Sequence, residues 1–383
     1  MSHVSVQPAV LRWARERSGI DEGVLRKRVP QLEHWEQRDK QPTLKQLEAF
    51  AKATHTPLGF LFLPTPPDDK LPIRDLRTVK DRPSRPSPNL LDTIYAMQRR
   101  QDWWREERAD SEAGALEFVG SARLSDDPEP VGQEMRRTVG IADDWAAGVA
   151  NWEEAVSELR RRIEALGVMS VINGVVGNNT HRKLDVEEFR GFALTDPQAP
   201  LVFVNGADAK SAQLFTLAHE LAHVWLGPDG EGLSGFEGIF PGDTRVESFC
   251  DQAAAEFLVP ARELKDRWRA VKGAPDAFEQ LARRFKVSPI VAGRRAMDLH
   301  LVNRETFFDF YKAYTKRERQ RVKPPGGGDF YNNQNTRVGA AFASSVMRAA
   351  LEGRVSFKEA YDLTGLRGGA FQKYARRLGI SLP

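Results

Sequence analysis

The sequence predicts an α+β fold that is mostly helical, with a small sheet leading into one buried helix and helical units on either side. Three observations predict it. Apolar residues recur at spacings of three and four over most of the chain, the pattern of amphipathic helices. The apolar runs at 168–172, 191–194 and 201–204 are too short for such helices and read as strands. Stretches rich in proline and glycine separate these segments. With 383 residues the chain can hold two or three compact domains.

Residues 1–63 read as a helical unit. Val10, Leu11, Trp13 and Ala14 mark a first helix that Gly19 stops. Farther on, Trp35-Glu36 followed by Gln41-Pro42-Thr43-Leu44 resembles the later half of a Cro/C1-type helix-turn-helix domain. The match is degenerate. The stretch from Gly19 to Trp35 is short for a second and a recognition helix, and Pro30 falls where the recognition helix would begin. A shortened recognition helix reaches base edges poorly, so DNA and a docked protein both stand as partners of this unit. Residues 64–88 form a proline-rich linker expected to be extended. Residues 89–141 read as a helical connector, with Asn89 as its cap and Leu91, Ile94, Met97 and Trp104 along its helix. One of Trp103 and Trp104 is expected in the core, with the neighbouring arginines solvated.

Residues 142–272 carry the chemistry. Trp152–Leu166 reads as an amphipathic helix stopped by Gly167, and the apolar strands follow it. Next comes Phe215-Thr-Leu-Ala-His219-Glu220-Leu-Ala-His223, which contains an H-E-x-x-H motif. Residues four apart share one face of a helix, so His219 and His223 can converge on a single ion. Glu220 lies beside that face, where its carboxylate can act on a water held by the metal. Leu214, Leu217, Leu221 and Val224 give the helix a buried pattern, and Gly227-Pro228 stops it.

A catalytic zinc takes three protein ligands and keeps one position open for water. The acidic residues downstream are Asp229, Glu231, Glu237, Asp243, Glu247, Asp251 and Glu256. The glycine-rich stretch 228–242 reads as a loop that would hold a ligand poorly. Glu247 instead opens a second helical pattern, in which Ala253, Ala254 and Ala255 allow close packing against another helix. Asp251 follows one turn later on the same face. That arrangement suits Glu247 as third ligand and Asp251 as acceptor for the ring N–H of a metal-bound histidine. Zinc is the expected ion, with manganese as its alternative.

Here the core resembles the ImmA/IrrE metallo-endopeptidases. The resemblance rests on Phe215 to His223 and on Glu247-x-x-Cys-Asp-x-x-Ala-Ala-x-Phe-Leu-Val-Pro260. It implies a zincin-like protease core, a small sheet plus the H-E-x-x-H helix, with zinc on His219, His223 and Glu247 and with Glu220 as general base. It also implies a helix-turn-helix repressor protein as substrate, cut in a stress, phage or mobile-element response. In such peptidases an edge strand pairs with the extended substrate backbone. Leu201, Val202, Phe203 and Val204 are the candidates for that strand, or their neighbour at 191–194. No residue is assigned to the oxyanion; His181 and Arg190 are weighed for it.

Residues 273–306 have helix-turn-helix spacing around Lys286-Val287-Ser288, and Arg294 and Arg295 are candidates for contact with DNA or a partner. Residues 307–383 read as a helical regulatory or interaction module. It carries a basic run from Lys316 to Lys323, a Pro324–Gly328 break, a helix over Arg337–Gly353, a capping box at Ser356 and Glu359, and a last helix over Ala370–Leu378.

Composition narrows the function classes. A net charge of +3 implies no polybasic field over the whole chain. There is no Walker-type loop, so no nucleotide is implied, and no apolar run of membrane-spanning length, so no membrane. The single cysteine, Cys250, excludes an internal disulfide, reads as a packing residue, and fits the reducing cytoplasm in which the protein is expected to work. The alternative function is a non-proteolytic DNA-binding regulator or antitoxin-like protein that retains a zinc site. Glu220 speaks against it, because a structural site needs no base at that position.

Overall fold

The computed structural model describes residues 3–68, 71–73, 86–111, 113–230, 232–234, 245–319 and 330–380. The described residues fall into two compact units, one within Met1–Pro72 and Val79–Tyr95, the other within Ile73–Thr78 and Ala96–Pro383.

In the first unit, local chemistry sets each helix end. Helix α1 (Pro8–Ser18) begins with a proline and closes on Gly19 at φ 62, a left-handed conformation that costs glycine nothing. Helix α2 (Glu22–Arg28) starts where the Asp21 side chain accepts from the Val24 amide. Helix α3 (Leu32–Glu36) has only 5 residues, as the position of Pro30 implies. Helix α4 (Leu44–Thr54) opens with a full capping box between Thr43 and Gln46, and a 3-10 turn at Leu58–Phe62 ends the series. Val10, Leu11, Trp13, Leu25, Trp35 and Phe50 form the core of this unit. Glu33 and Glu36 of α3 are ion-paired, with Arg26 and Arg15 respectively. Helix α5 (Pro88–Asp110) begins in this unit and continues into the second. Its cap is Ser87, whose Oγ accepts from the Leu90 amide at 3.1 Å, and not Asn89.

The second unit continues with α6 (Pro128–Val139), capped by Asp127 and closed by Gly140, and α7 (Trp152–Ala165), capped by Asn151. Then come β1 (Met169–Asn173), β2 (Val175–Val176), β3 (Asn179–Lys183), β4 (Gly191–Leu194) and β5 (Leu201–Asn205). Helix α8 (Lys210–Leu226) carries the H-E-x-x-H motif, β6 (Gly232–Ser234) follows it, and α9 (Arg245–Leu258) carries Glu247. Helices α10 (Ala261–Val271), α11 (Ala277–Phe285), α12 (Pro289–Asp298) and α13 (Arg304–Arg319) come next. The described chain ends with α14 (Phe330–Val338), α15 (Ala340–Leu351), α16 (Phe357–Thr364) and α17 (Gly368–Arg377). The helix expected over Arg337–Gly353 is broken between α14 and α15, where Gly339 takes φ 86. Among the described residues no helix is long and apolar enough to cross a membrane.

The main sheet has the order β1-β5-β4-β6, and β2 and β3 form a separate antiparallel pair. Strand β1 runs parallel to β5, whereas β4 runs antiparallel to both β5 and β6. Side chains alternate between the two faces. On one face Val202, Val204 and Ala193 join the core cluster that includes Leu214, Leu217 and Leu221 of α8. On the other, Phe192 and Phe203 stack with ring centroids 4.9 Å apart. This corrects the reading of Leu201, Val202, Phe203 and Val204 as the substrate-pairing edge. Strand β5 lies between β1 and β4, so its backbone groups are spent on both neighbours, and all four side chains are buried. The alternative, β4, is also internal, because β6 pairs with it at Gly191, Phe192 and Ala193.

The core cluster runs from Ala122 to Ala296 and so takes in α6 upstream of the expected core and α11 and α12 downstream of it. Arg295 is part of that packing. It is 6% exposed, pairs with the buried Glu256 of α9, and donates to the Val259 carbonyl at 3.3 Å. Glu256 also accepts from the Ala261 amide at 3.0 Å, and burial, opposed by Arg295, raises its pKa. The expectation that Arg295 touches DNA or a partner is therefore corrected: the guanidinium is spent inside the protein. Arg294, half-buried, pairs with Asp298 on its own helix at 2.9 Å. Removing one partner of a buried pair strands the other, so Arg295→Ala is expected to lower the unfolding free energy by about 3 kcal/mol, read as a shift of the urea midpoint.

Candidate metal centre

The two helices that meet at the site supply its donors. On α8, His219 and His223 project from one face, as a spacing of four requires, and both are buried. Glu247, in the first turn of α9, is 0% exposed. The His219 and His223 Nε2 atoms are 3.0 Å apart. Glu247 sets Oε2 at 3.2 Å from His219 Nε2 and Oε1 at 3.3 Å from His223 Nε2. A tetrahedral zinc with bonds of about 2.0–2.1 Å would separate its donors by about 3.3 Å. The three residues therefore fit a zinc ion in both chemistry and spacing, and among the described residues they are the group of His, Cys, Asp and Glu side chains close enough to hold one.

Around these donors the structure adds support. Asp251, one turn along α9 from Glu247, lies with Oδ1 at 2.9 Å from His219 Nδ1. That contact fixes the tautomer, with the proton on Nδ1 and the Nε2 lone pair directed at the ion position. His223 Nδ1 has no hydrogen-bond partner among the described residues. Glu220 is 0% exposed, and its carboxylate lies over Gly191 of β4. Phe215, one turn before His219, has its ring centroid 6.4 Å from that imidazole. Phe215, Asp251 and Arg294 contribute to the walls of a cleft of about 670 Å³.

The electrostatics of the cluster favour positive charge at its centre. Burial works against a charged His219, but Glu247 and Asp251 outweigh it and hold that pKa well above the usual imidazole value. Burial also disfavours the Glu247 carboxylate, yet the two histidines bring its pKa down to about 2. A buried carboxylate beside two imidazoles draws in positive charge, and a proton or a divalent cation can supply it.

The structure brings together His219, Glu220, His223, Glu247 and Asp251, all singled out from sequence. Glu256 is elsewhere, paired with Arg295, while Glu231, Glu237 and Asp243 lie outside the described residues. His181 is exposed on β3, and Arg190 is paired with Asp208. Gly191 was not recognised; nothing but a glycine at the head of an apolar run could have marked it.

Residues 178–297 match the family model described as the IrrE N-terminal-like domain. The match contains both helices of the metal centre. Residues 338–377 match a second model, described as a domain of unknown function. Among curated proteins, the radiation response metalloprotease IrrE of Deinococcus deserti is 30% identical over 136 residues, 35% of this chain and 46% of that protein. The radiation response metalloprotease IrrE of Deinococcus radiodurans is 31% identical over 96 residues, 24% of this chain and 29% of that protein. The chain thus spans less than half the length of these curated relatives. The IrrE likeness is to the part of the chain that builds the site.

Glu247 and Asp251 favour the protonated form of His219, so zinc and a proton compete for that ring. Adding zinc to metal-free protein in weakly buffered solution is expected to release protons, measured with a pH indicator, and zinc affinity is expected to fall as the pH is lowered. Asp251→Asn is expected to weaken zinc binding by about 10–100-fold, measured by competition with a chromogenic chelator.

Proposed function

We propose that the protein is a zinc-dependent endopeptidase that cuts a helix-turn-helix transcriptional repressor or antitoxin-like partner in the cytoplasm, relieving repression in a stress, phage or mobile-element response. One observation carries the hydrolytic part of this reading. Glu220 is fully buried on the same helix turn as His219 and His223, two of the three residues of a ready-made donor set, within the segment similar to the IrrE metalloproteases. A structural metal site would gain nothing from desolvating a further carboxylate that is not among its ligands. The substrate class and the phage or mobile-element setting follow from the resemblance to the ImmA/IrrE family, and a stress response agrees with the Deinococcus relatives, which are named radiation response metalloproteases.

His219, His223 and Glu247 would hold the ion, and Asp251 would keep the His219 ring turned toward it. Bound zinc supplies a Lewis acid for the scissile carbonyl and makes a coordinated water more acidic. Glu220 then takes a proton from the attacking water and passes it to the amine that leaves, so one carboxylate serves both halves of the hydrolysis.

Glu220→Gln is expected to keep about one zinc per chain and lose cleavage by about 100-fold or more, whereas His219→Ala loses both metal and cleavage. The assay incubates the protein and zinc with a repressor encoded beside its gene and follows the fragments by mass spectrometry. Undiminished cleavage by a zinc-loaded Glu220→Gln protein would overturn the assignment.

A further inference from the structure

We propose that Gly191 is a positioning residue for Glu220: the bare backbone it presents to α8 makes the room in which the Glu220 carboxylate lies. Strand β4 alternates small and large side chains, Gly191-Phe192-Ala193-Leu194. The small pair faces α8 and the large pair faces away, because Ala193 joins the core cluster with Leu217, Ala218 and Leu221 while Phe192 stacks on Phe203. The strand's small face thus lets the motif helix lie close against the sheet.

At Gly191 that approach leaves no space for a side chain. A Cβ built there would collide with Oε1 of Glu220, and it would lie 2.8 Å from the Phe203 carbonyl oxygen and 2.8 Å from Thr216 Cγ2. The demand for glycine is one of space alone, since Gly191 does not have the positive φ seen at Gly227 or Gly339. Glu220 is fully buried and Thr216 nearly so, and neither can swing into solvent to make way. A methyl group at 191 must therefore push the carboxylate from its place, or push the strand from the helix. Only the first of these would make Gly191 part of the machinery that sets the base.

Two experiments on the full chain separate these outcomes. The first reads thermal unfolding of the zinc-loaded wild type, Gly191→Ala, Glu220→Ala and the double variant. Gly191→Ala is expected to lower the melting temperature in the wild-type background and to lower it markedly less once Glu220 is alanine. Equal losses in both backgrounds, or insolubility in both, would place the crowding at Phe203 and Thr216 and overturn the proposal. A Gly191→Ala protein that folds only when Glu220 is also removed supports it.

The second experiment rests on the endopeptidase reading. It uses a proteome-derived peptide library as probe and then one cleaved peptide for kinetics. Gly191→Ala is expected to retain one zinc and an unchanged KM while kcat falls at least about tenfold. In the Glu220→Asp background, where the carboxylate is drawn back by one methylene, the same change should cost less. A full kcat loss in both backgrounds, or none in either, would overturn the positioning role. A wild-type protein that cleaves no peptide would instead count against the endopeptidase reading, with the melting comparison left intact to judge Gly191.

Discussion

Burial of the Glu247 carboxylate against two imidazoles is the interaction on which the rest of the unit depends. It forces α8 and α9 to approach until the Glu247 oxygens lie 3.2 and 3.3 Å from the imidazole nitrogens of α8. Such an approach is open only to helices with small residues at the crossing, and Ala218, Ala222, Cys250, Ala253 and Ala254 are all buried in the shared cluster. Helix α9 is held from its other side as well. A Cβ at Gly132 of α6 would lie 2.6 Å from the Ala253 carbonyl and 2.8 Å from Glu256 Cβ, so α6 and α9 also cross in close contact. Farther along, the Glu256–Arg295 pair fastens α9 to α12. The candidate ligand Glu247 on α9 is thus clamped by three other helices, which is what a precise donor geometry requires.

The parts of this arrangement that were legible in the sequence are those that local periodicity encodes. His219 and His223 share a face because they are four apart, and so do Glu247 and Asp251, so each helix brings its donors in register without reference to the fold. What joins the two helices could only be inferred from the run of small residues in α9. The misread strand and arginine concern partners distant in sequence. Leu201–Val204 looks the same whether it lies at an edge or in the middle of a sheet; its place was decided by β1, some thirty residues before it, and β4. The outer neighbour of β4 comes from β6, beyond the motif helix, in a stretch with too little apolar pattern to read as a strand. Arg295 has the helical spacing of a surface arginine, and its acidic partner lies 39 positions earlier. At Gly339 a glycine inside an apolar helical pattern turned out to be a break and not a tolerated residue.

The C-terminal helices are tied to the sheet-bearing part of the unit through a few polar side chains. Asn178, between β2 and β3, accepts from Gln334 and Arg337 of α14 and donates to the Gly365 carbonyl at 2.8 Å. The Arg100 guanidinium of α5 is buried and donates to the carbonyls of Leu363 and Arg337, each at 2.8 Å. Tyr374 of α17 reaches Asn335 at 2.6 Å, and Trp103 packs edge-on against Phe342. These contacts make the segment similar to a domain of unknown function an integral layer of the second unit. These polar groups find their partners on other elements, so loosening one helix would strand donors on its neighbours.

Cys250 sits one residue before Asp251 and three after Glu247, fully enclosed, and burial together with the nearby Glu247, Glu220 and Asp251 raises its pKa well above that of an exposed thiol. The reactive form of a cysteine is the thiolate, and here it is suppressed twice, by enclosure and by negative neighbours. The only sulfhydryl of the chain is therefore enclosed and biased toward its protonated, less reactive form, although it stands among the candidate metal-binding groups. A thiol reagent therefore meets no exposed sulfur at Cys250, and the chemistry of the site is left to the imidazoles and carboxylates around it.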